Sequence, residues 1–167
     1  GINSGYLRRQ RVPVQVVSPR KDTEMLQKEM TDTEIESVIA DFALAARRAV
    51  DAGFDAVQLH GAHGYLMGQF LSPLTNHRTD RWGGSNQNRR SFHLEVIKGV
   101  RQAIGKDFPL MIKFGAEEDR TGGLSLSEGV ETALEMTKQG LDAMEISTGG
   151  RNPIPKEEEG APEQAYF

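Results

Sequence analysis

Apolar residues recur at helical spacing in three stretches of the chain. The first stretch follows Thr31-Asp32-Thr33-Glu34, whose hydroxyl and carboxylate form the capping-box pattern of a helix start, and it continues to Gly53. A second helix is predicted from about Asn86 to Ile104 and a third from about Leu126 to Gln139. Each of these two begins after a serine and ends before a glycine, the residues that favour helix starts and stops.

Short apolar runs alternate with these helices. They extend from Phe54 to His60, from Leu110 to Phe114 and from Ala143 to Ser147. Their length and their flanking glycines favour strands. The resulting order of helix and strand, three times over, is typical of a parallel sheet with right-handed crossovers.

The alternating pattern divides the chain into three parts. Residues 31–150 form the predicted α/β core, and we treat the chain as a single incomplete unit. Residues 1–30 read as an irregular N-terminal segment in which a valine-rich run between two prolines could form an edge strand. Residues 151–167 are polar, rich in proline and glutamate, and are predicted to be a loop tail.

The two faces of the predicted strands distinguish between two parallel architectures. In the middle strand, Leu110, Ile112 and Phe114 alternate with Met111 and Lys113, and the other strands also oppose an apolar face to a small or polar one. An open doubly wound sheet is apolar on both faces, whereas a barrel has a lumen that becomes polar at its mouth. We therefore expect a partial TIM (β/α)8 barrel of about three to four strand–helix units, since a complete one needs ~250 residues.

Composition excludes several classes of protein. The 167 residues include 20 Lys+Arg and 24 Asp+Glu, a net charge of −4, which argues against a basic nucleic-acid-binding surface. No apolar run approaches the ~20 residues of a membrane span. The absence of cysteine excludes disulfides and thiolate metal sites. We expect a cytoplasmic protein that binds neither nucleic acid nor membrane, and unpaired sheet edges favour a homo-oligomer.

The densest chemical signal is His60-Gly61-Ala62-His63-Gly64-Tyr65, at the end of a predicted strand. Barrel enzymes place their catalytic groups at this rim. Two imidazole N–H groups directed at one oxygen can stabilise negative charge that develops on it. The Tyr65 hydroxyl can then give a proton to carbon. His60, His63 and Tyr65 are therefore the candidate catalytic residues.

Other interpretations of these residues remain open. His60 and His63 could be ordinary loop residues. They could also bind zinc in a metal-dependent hydrolase, but a third ligand would have to come from His77, His93 or a carboxylate.

Polar residues elsewhere have simpler explanations. Asn76, Arg78, Asp80 and Arg89 flank a Gly-Gly-Ser turn and are expected to brace a long loop by hydrogen bonds. Lys113 could form a pair with Glu145 on the neighbouring strand, because half-buried charges need partners.

This set of motifs resembles the old yellow enzyme family, whose members are FMN-dependent NADH:flavin oxidoreductases and ene-reductases. The resemblance covers most of residues 1–150 and is densest over some thirty residues. The motifs are His60-Gly61-Ala62-His63-Gly64-Tyr65-Leu66, Gln69-Phe70-Leu71-Ser72-Pro73, Asn76-His77-Arg78-Thr79-Asp80, Gly83-Gly84-Ser85 and Asn88-Arg89.

The resemblance implies a role for each matching residue. His60 and His63 match the pair that binds the carbonyl or nitro oxygen of a small-molecule substrate, and Tyr65 matches the proton donor. Lys113 stands where the family has a basic residue, usually Arg, beside the N1/C2 edge of FMN. NAD(P)H is the implied electron donor.

The chain also departs from the family pattern. Gly1 stands where the family usually has Gln, and Ser4 where it often has His. The segments that match the family's first two and last two strands, including the loops for the FMN phosphate, are missing. We therefore expect a central segment of the barrel, and an isolated, non-catalytic fragment remains an alternative to an enzyme.

Overall fold

The computed structural model describes residues 16–18, 27–147 and 164–166. The strands are β1 (Val16–Ser18), β2 (Gln27–Glu29), β3 (Val57–Gly61), β4 (Leu110–Gly115), β5 (Ala143–Ser147) and β6 (Gln164–Tyr166). The helices are α1 (Asp32–Asp51), α2 (Leu66–Leu71), α3 (Asn86–Ile104) and α4 (Leu126–Lys138). In these described ranges, no helix is long and apolar enough to cross a membrane.

The main sheet contains four strands in the order β3-β4-β5-β6. The first three strands run parallel, and β6 pairs antiparallel with the outer edge of β5. The register places His60 opposite Lys113 and Lys113 opposite Glu145, so these three residues form one row across the sheet. Three parallel strands connected by helices constitute part of a (β/α)8 barrel, as the strand pattern predicted.

The helix boundaries follow the chemistry of their ends. The Thr31 hydroxyl accepts a hydrogen bond from the Glu34 backbone N–H, and the Glu34 carboxylate accepts one from the Thr31 backbone N–H, which completes the predicted capping box. At the other end of α1, Gly53 adopts a φ of +82°, a conformation that glycine reaches without strain. The predicted limits of α3 are confirmed, and those of α4 are confirmed within one residue.

The core lies between one face of the sheet and the helices. Leu110, Ile112 and Phe114 are fully buried, whereas Met111 and Lys113 on the opposite face are only partly so. The apolar face of β4 belongs to a single buried cluster with residues of all the helices. The sheet is therefore covered on one side, and its opposite face, which carries His60, Lys113 and Glu145, corresponds to the lumen of a barrel.

The structure adds strands in both terminal segments. Within residues 1–30, β1 overlaps the valine-rich run that could form an edge strand, and it pairs in parallel with β2, which was not predicted. Within the expected loop 151–167, Gln164–Tyr166 forms β6. The physical reason for β6 is that the free edge of β5 presents unpaired N–H and C=O groups, which a short extended segment can satisfy.

Two further differences concern the interior of the chain. β3 begins at Val57 instead of Phe54, and the Phe54 side chain is 64% exposed. Helix α2 was not predicted because its six residues are too few for a periodic pattern to be visible.

Candidate active site

The segment after β3 forms a sharp turn that places polar side chains at the open end of the sheet. The Tyr65 N–H donates to the Ala62 carbonyl at 3.3 Å, and between them His63 and Gly64 both have positive φ values, 57° and 70°. Two successive positive φ values are characteristic of a tight turn of the type I′ class. His63, a non-glycine residue, therefore sits in a conformation that is uncommon for its type.

Gly61 serves a different purpose from Gly64. A Cβ atom at Gly61 would lie 2.9 Å from the Ile112 side chain and 3.0 Å from the Lys113 carbonyl oxygen. The residue must therefore be small so that the end of β3 can approach β4, and its φ value is not the reason.

The three candidate catalytic rings lie together. The centroids of the His60 and His63 rings are 5.4 Å apart, and those of His60 and Tyr65 are 4.7 Å apart. Tyr65 is the N-cap residue of α2, and the Gln69 side chain donates to the Gly64 carbonyl at 2.6 Å. Strand β3 thus positions His60, whereas the turn and the start of α2 position the backbone of His63 and Tyr65.

Ser147 is a member of this site that the sequence did not single out. Its hydroxyl oxygen lies 2.8 Å from Nε2 of His63, although the two residues are 84 positions apart in the sequence. Ser147 is the last residue of β5. Its place on the polar face of that strand, at the same edge of the sheet as His60, was the signal that could have revealed it.

The row across the sheet that includes His60 also contains an ion pair. Lys113 Nζ lies 2.7 Å from one carboxylate oxygen of Glu145, and the Gln58 amide donates to the other oxygen at 3.0 Å. The alternative interpretation of Lys113 as the partner of Glu145 is therefore observed. Hydrogen bonding to Lys113 lowers the pKa of the Glu145 carboxyl. The Lys113 ammonium has three donors and uses one of them here.

The surroundings of His60 favour its neutral ring. Burial lowers the pKa of His60 below its usual value, and the positive charges of His63 and Lys113 lower it further. A neutral ring carries one N–H donor, which is the form that an oxyanion-binding residue needs.

The loop between α2 and α3 is braced as the sequence predicted. The Asn76 amide donates to the carbonyl oxygens of Phe70 and Trp82 at 2.6 and 2.7 Å. Arg78 forms two hydrogen bonds with Asp80, at 3.1 and 2.6 Å, and donates to the Met30 carbonyl at 2.7 Å. These groups hold the loop instead of facing the site.

Arg89 has the same structural role at the start of α3. Its guanidinium donates to the carbonyl oxygens of Leu71 and Gly84 at 2.9 and 2.7 Å and to Glu128 at 2.7 Å. A planar group with five donors is well suited to joining three segments of chain.

Replacing Arg78 with lysine should destabilise the protein by about 2 kcal/mol, because an ammonium cannot reproduce the paired contact with Asp80 while it also reaches Met30. The measurement is the free energy of unfolding in urea. Lys98→Ala on the surface of α3 is the control and should change it by less than about 0.5 kcal/mol. Equal effects of the two substitutions would contradict the bracing role.

A metal site at His60 and His63 would need at least a third ligand. Among the residues that the structure describes, no group of three or more histidine, aspartate or glutamate side chains is arranged to hold a metal ion. His77 and His93, the histidines considered as further ligands, lie in the braced loop and inside α3.

Comparison with known proteins identifies relatives of this chain. The model of the NADH:flavin oxidoreductase / NADH oxidase family matches residues 4–158. An NADH oxidase of Thermoanaerobacter brockii is 44% identical over 128 residues, which are 77% of this chain and 20% of that protein. An NADPH dehydrogenase of Clostridium acetobutylicum is 45% identical over 127 residues, which are 75% of this chain and 37% of that protein. The chain thus spans less than half the length of these relatives.

Solved structures agree with the family model. A 2-naphthoyl-CoA reductase in complex with 2-naphthoyl-CoA superposes with a TM-score of 0.72 and 34% identity, over 79% of this chain and 21% of that one. The old yellow enzyme homologue of Zymomonas mobilis superposes with a TM-score of 0.70 and 25% identity, over 80% and 42%. By sequence and by fold, this chain belongs to the NADH:flavin oxidoreductase / NADH oxidase family.

Proposed function

We propose that this chain carries the substrate-binding and proton-donating part of an FMN-dependent oxidoreductase of the old yellow enzyme type, which reduces an activated alkene at the expense of NAD(P)H. The observation that supports the proposal most directly is the grouping of His60, His63 and Tyr65 at the open end of a parallel sheet. Relatives named NADH oxidase and NADPH dehydrogenase support the electron donor.

The lumenal face fits one part of an FMN site. Lys113 is only 16% exposed at its side chain, and after its contact with Glu145 it still has donors for the acceptor atoms of a flavin ring. FMN, when bound, would supply hydride transfer between NAD(P)H and the substrate. Lys113 is the residue that we assign to holding its N1/C2 edge, where negative charge accumulates on reduction.

His60 and His63 would bind the carbonyl or nitro oxygen of the substrate. Each imidazole can donate one hydrogen bond, and both bonds would strengthen as the oxygen gains negative charge when hydride reaches the β-carbon. The two rings therefore stabilise the transition state more than the bound substrate. A relative in complex with 2-naphthoyl-CoA, which contains a thioester carbonyl, is consistent with this substrate class.

Tyr65 would complete the reaction by proton transfer. Its hydroxyl gives a proton to the α-carbon, and the phenolate that remains takes a proton back from solvent. The ring centroids of Tyr65 and His60 lie 4.7 Å apart, which supports a proton donor beside an oxygen-binding group.

Binding of a phenol tests the histidine pair in the complete polypeptide that carries these residues, loaded with FMN. In old yellow enzymes a bound phenol gives a charge-transfer absorption band, and His60→Ala with His63→Ala should abolish both this band and enone reduction. His77→Ala, an exposed histidine outside the site, is the control and should preserve both. If the band and the activity survive in the double variant, the assignment of the pair is wrong.

Tyr65→Phe should slow enone reduction by about 10²-fold, because the variant must take its proton from water. Reduction of the flavin by NAD(P)H should keep its rate, since that half-reaction needs no proton on the substrate carbon. Stopped-flow absorbance measures the two half-reactions separately. An equal loss in both would point to a structural defect and would contradict the role as proton donor.

A second candidate is a non-catalytic barrel segment. The antiparallel strand β6 favours it, because β6 occupies the edge of β5 where a closed barrel has a parallel strand. Purification of the 167-residue chain distinguishes the two: flavin absorbance bands that copurify support the enzyme, whereas a colourless protein supports the segment. We also propose that the protein forms a homo-oligomer and that it is located in the cytoplasm, where NAD(P)H is available.

A further inference from the structure

The hydrogen bond between Ser147 and His63 joins two elements that the sequence keeps apart. We infer that Ser147 is a positioning residue that holds His63 as the tautomer with its proton on Nδ1. This inference rests on the proposed function, because it concerns the atom with which His63 binds the substrate oxygen.

Ser147 is held firmly. It is 3% exposed, it lies at the end of β5, and its carbonyl accepts a hydrogen bond from the Ala116 N–H at 3.2 Å. Strand β5 is paired on both sides at this level, with Gly115 of β4 and with Gln164 of β6. The hydroxyl therefore projects from a backbone that is fixed by the sheet.

His63 depends on this contact for its orientation. Its backbone lies in the turn with a φ of 57°, outside any strand or helix. Within the described residues, the bond of Nε2 to the Ser147 hydroxyl, at 2.8 Å, is the hydrogen bond that the ring makes. One contact thus fixes the rotation of the imidazole.

The same contact determines where the proton of a neutral ring resides. A neutral imidazole has one nitrogen that donates and one that accepts, and a hydroxyl can do either. When Ser147 donates to Nε2, the proton lies on Nδ1 and can be offered to a substrate oxygen. When Ser147 accepts from Nε2, Nδ1 becomes an acceptor and repels that oxygen. Only the first arrangement permits the role proposed for His63.

Nuclear magnetic resonance of the imidazole nitrogens tests the inference without any turnover. In the complete polypeptide labelled with ¹⁵N-histidine, at a pH where the ring is neutral, two-bond and three-bond ¹H–¹⁵N correlations identify the protonated nitrogen. We expect His63 to carry its proton on Nδ1. The signals that disappear in His63→Gln are assigned to His63.

Two variants of Ser147 distinguish the effect of its hydroxyl group from the effect of side-chain packing. Ser147→Ala should shift His63 toward the Nε2–H form, whereas Ser147→Thr, which retains the hydroxyl, should preserve Nδ1–H. Ser72→Ala removes a similarly buried hydroxyl, bonded to Glu118 at 2.6 Å, and should leave His63 unchanged. A proton on Nε2 in the unmodified protein, or an unchanged tautomer in Ser147→Ala, would overturn the inference.

Phenol binding gives a second readout in the flavin-loaded protein. The dissociation constant should rise about fivefold in Ser147→Ala, which corresponds to one neutral hydrogen bond, and should stay within about twofold in Ser147→Thr. If the tautomer shifts as expected but phenol binding does not change, His63 is not an oxygen-binding residue, and the proposed function fails while the tautomer assignment stands. If His63 keeps its tautomer in Ser147→Ala, the positioning role fails independently of the function.

Discussion

Replacing Gly129 with alanine should destabilise the protein by at least about 3 kcal/mol, although alanine is the better helix former. Gly129 lies in the first turns of α4, where the helix crosses the end of β4. A Cβ atom there would lie 1.8 Å from the Ala116 carbonyl oxygen and 2.8 Å from its carbonyl carbon. Both are backbone atoms, so the clash is relieved only if the helix moves away from the sheet.

Gly99 in α3 provides the matched control. A Cβ atom at this position would meet the Ile39 side chain at 3.7 Å and the Ala43 Cβ at 4.0 Å, which are ordinary contacts. Gly99→Ala should therefore stabilise the protein by about 0.5–1 kcal/mol, because alanine loses less conformational entropy in a helix. Urea unfolding measures both variants. A stabilising Gly129→Ala would show that α4 lies farther from β4 than described.

Acid should destabilise the protein through His93. This residue of α3 is fully buried, packs edge-on against Phe114 at 6.1 Å between ring centroids, and has no hydrogen-bond partner for either ring nitrogen within the described structure. Burial lowers the pKa of His93 to about 4, from an ordinary value of 6.5. The folded state therefore resists protonation that the unfolded state accepts.

The direction of the effect follows from proton binding. Above pH 6.5 neither state binds the proton, and His93 has no effect on the pH dependence. Between pH 6.5 and 4 the unfolded state binds the proton and the folded state does not. The free energy of unfolding therefore decreases as the pH is lowered, by about 1.4 kcal/mol per pH unit and by about 3 kcal/mol in all. Below the folded pKa the loss is complete.

His93→Leu tests this expectation by removing the titrating group while keeping an apolar side chain. Unfolding in urea between pH 7 and 5 should show a loss of about 2 kcal/mol in the unmodified protein and a much smaller loss in the variant. This range lies above the titration of most carboxyls. His60, whose pKa is also lowered, accounts for the remainder, and His60→Gln measures it. Parallel pH profiles for the two proteins would falsify the role of His93.

The parts of the fold that the sequence predicted are those encoded locally. The start of α1 depends on Thr31 and Glu34, which are neighbours along the helix. The alternation in β4 likewise depends on adjacent residues, and it correctly separated Lys113 from the buried face. Such features can be predicted without knowing which residues contact them from other segments of the chain.

The missed parts depend on contacts between distant segments. β6 forms because β5 has a free edge, and no pattern within Gln164–Tyr166 predicts a strand there. The contact of Ser147 with His63 requires both the register of the sheet and the turn at Gly64. His60, His63 and Tyr65 could be grouped from the sequence because they lie within six residues of one another. Ser147, the fourth residue of the site, lies on a different strand.

The antiparallel pairing of β6 has a consequence for assembly of the barrel. In a closed (β/α)8 barrel every strand runs parallel to both neighbours, so the position that β6 occupies is the one a successor of β5 would take. The edge of β5 can pair with only one strand. A strand that extends the sheet in the parallel direction must therefore displace Gln164–Tyr166, and while β6 is paired it prevents this edge from pairing with the sheet of another molecule.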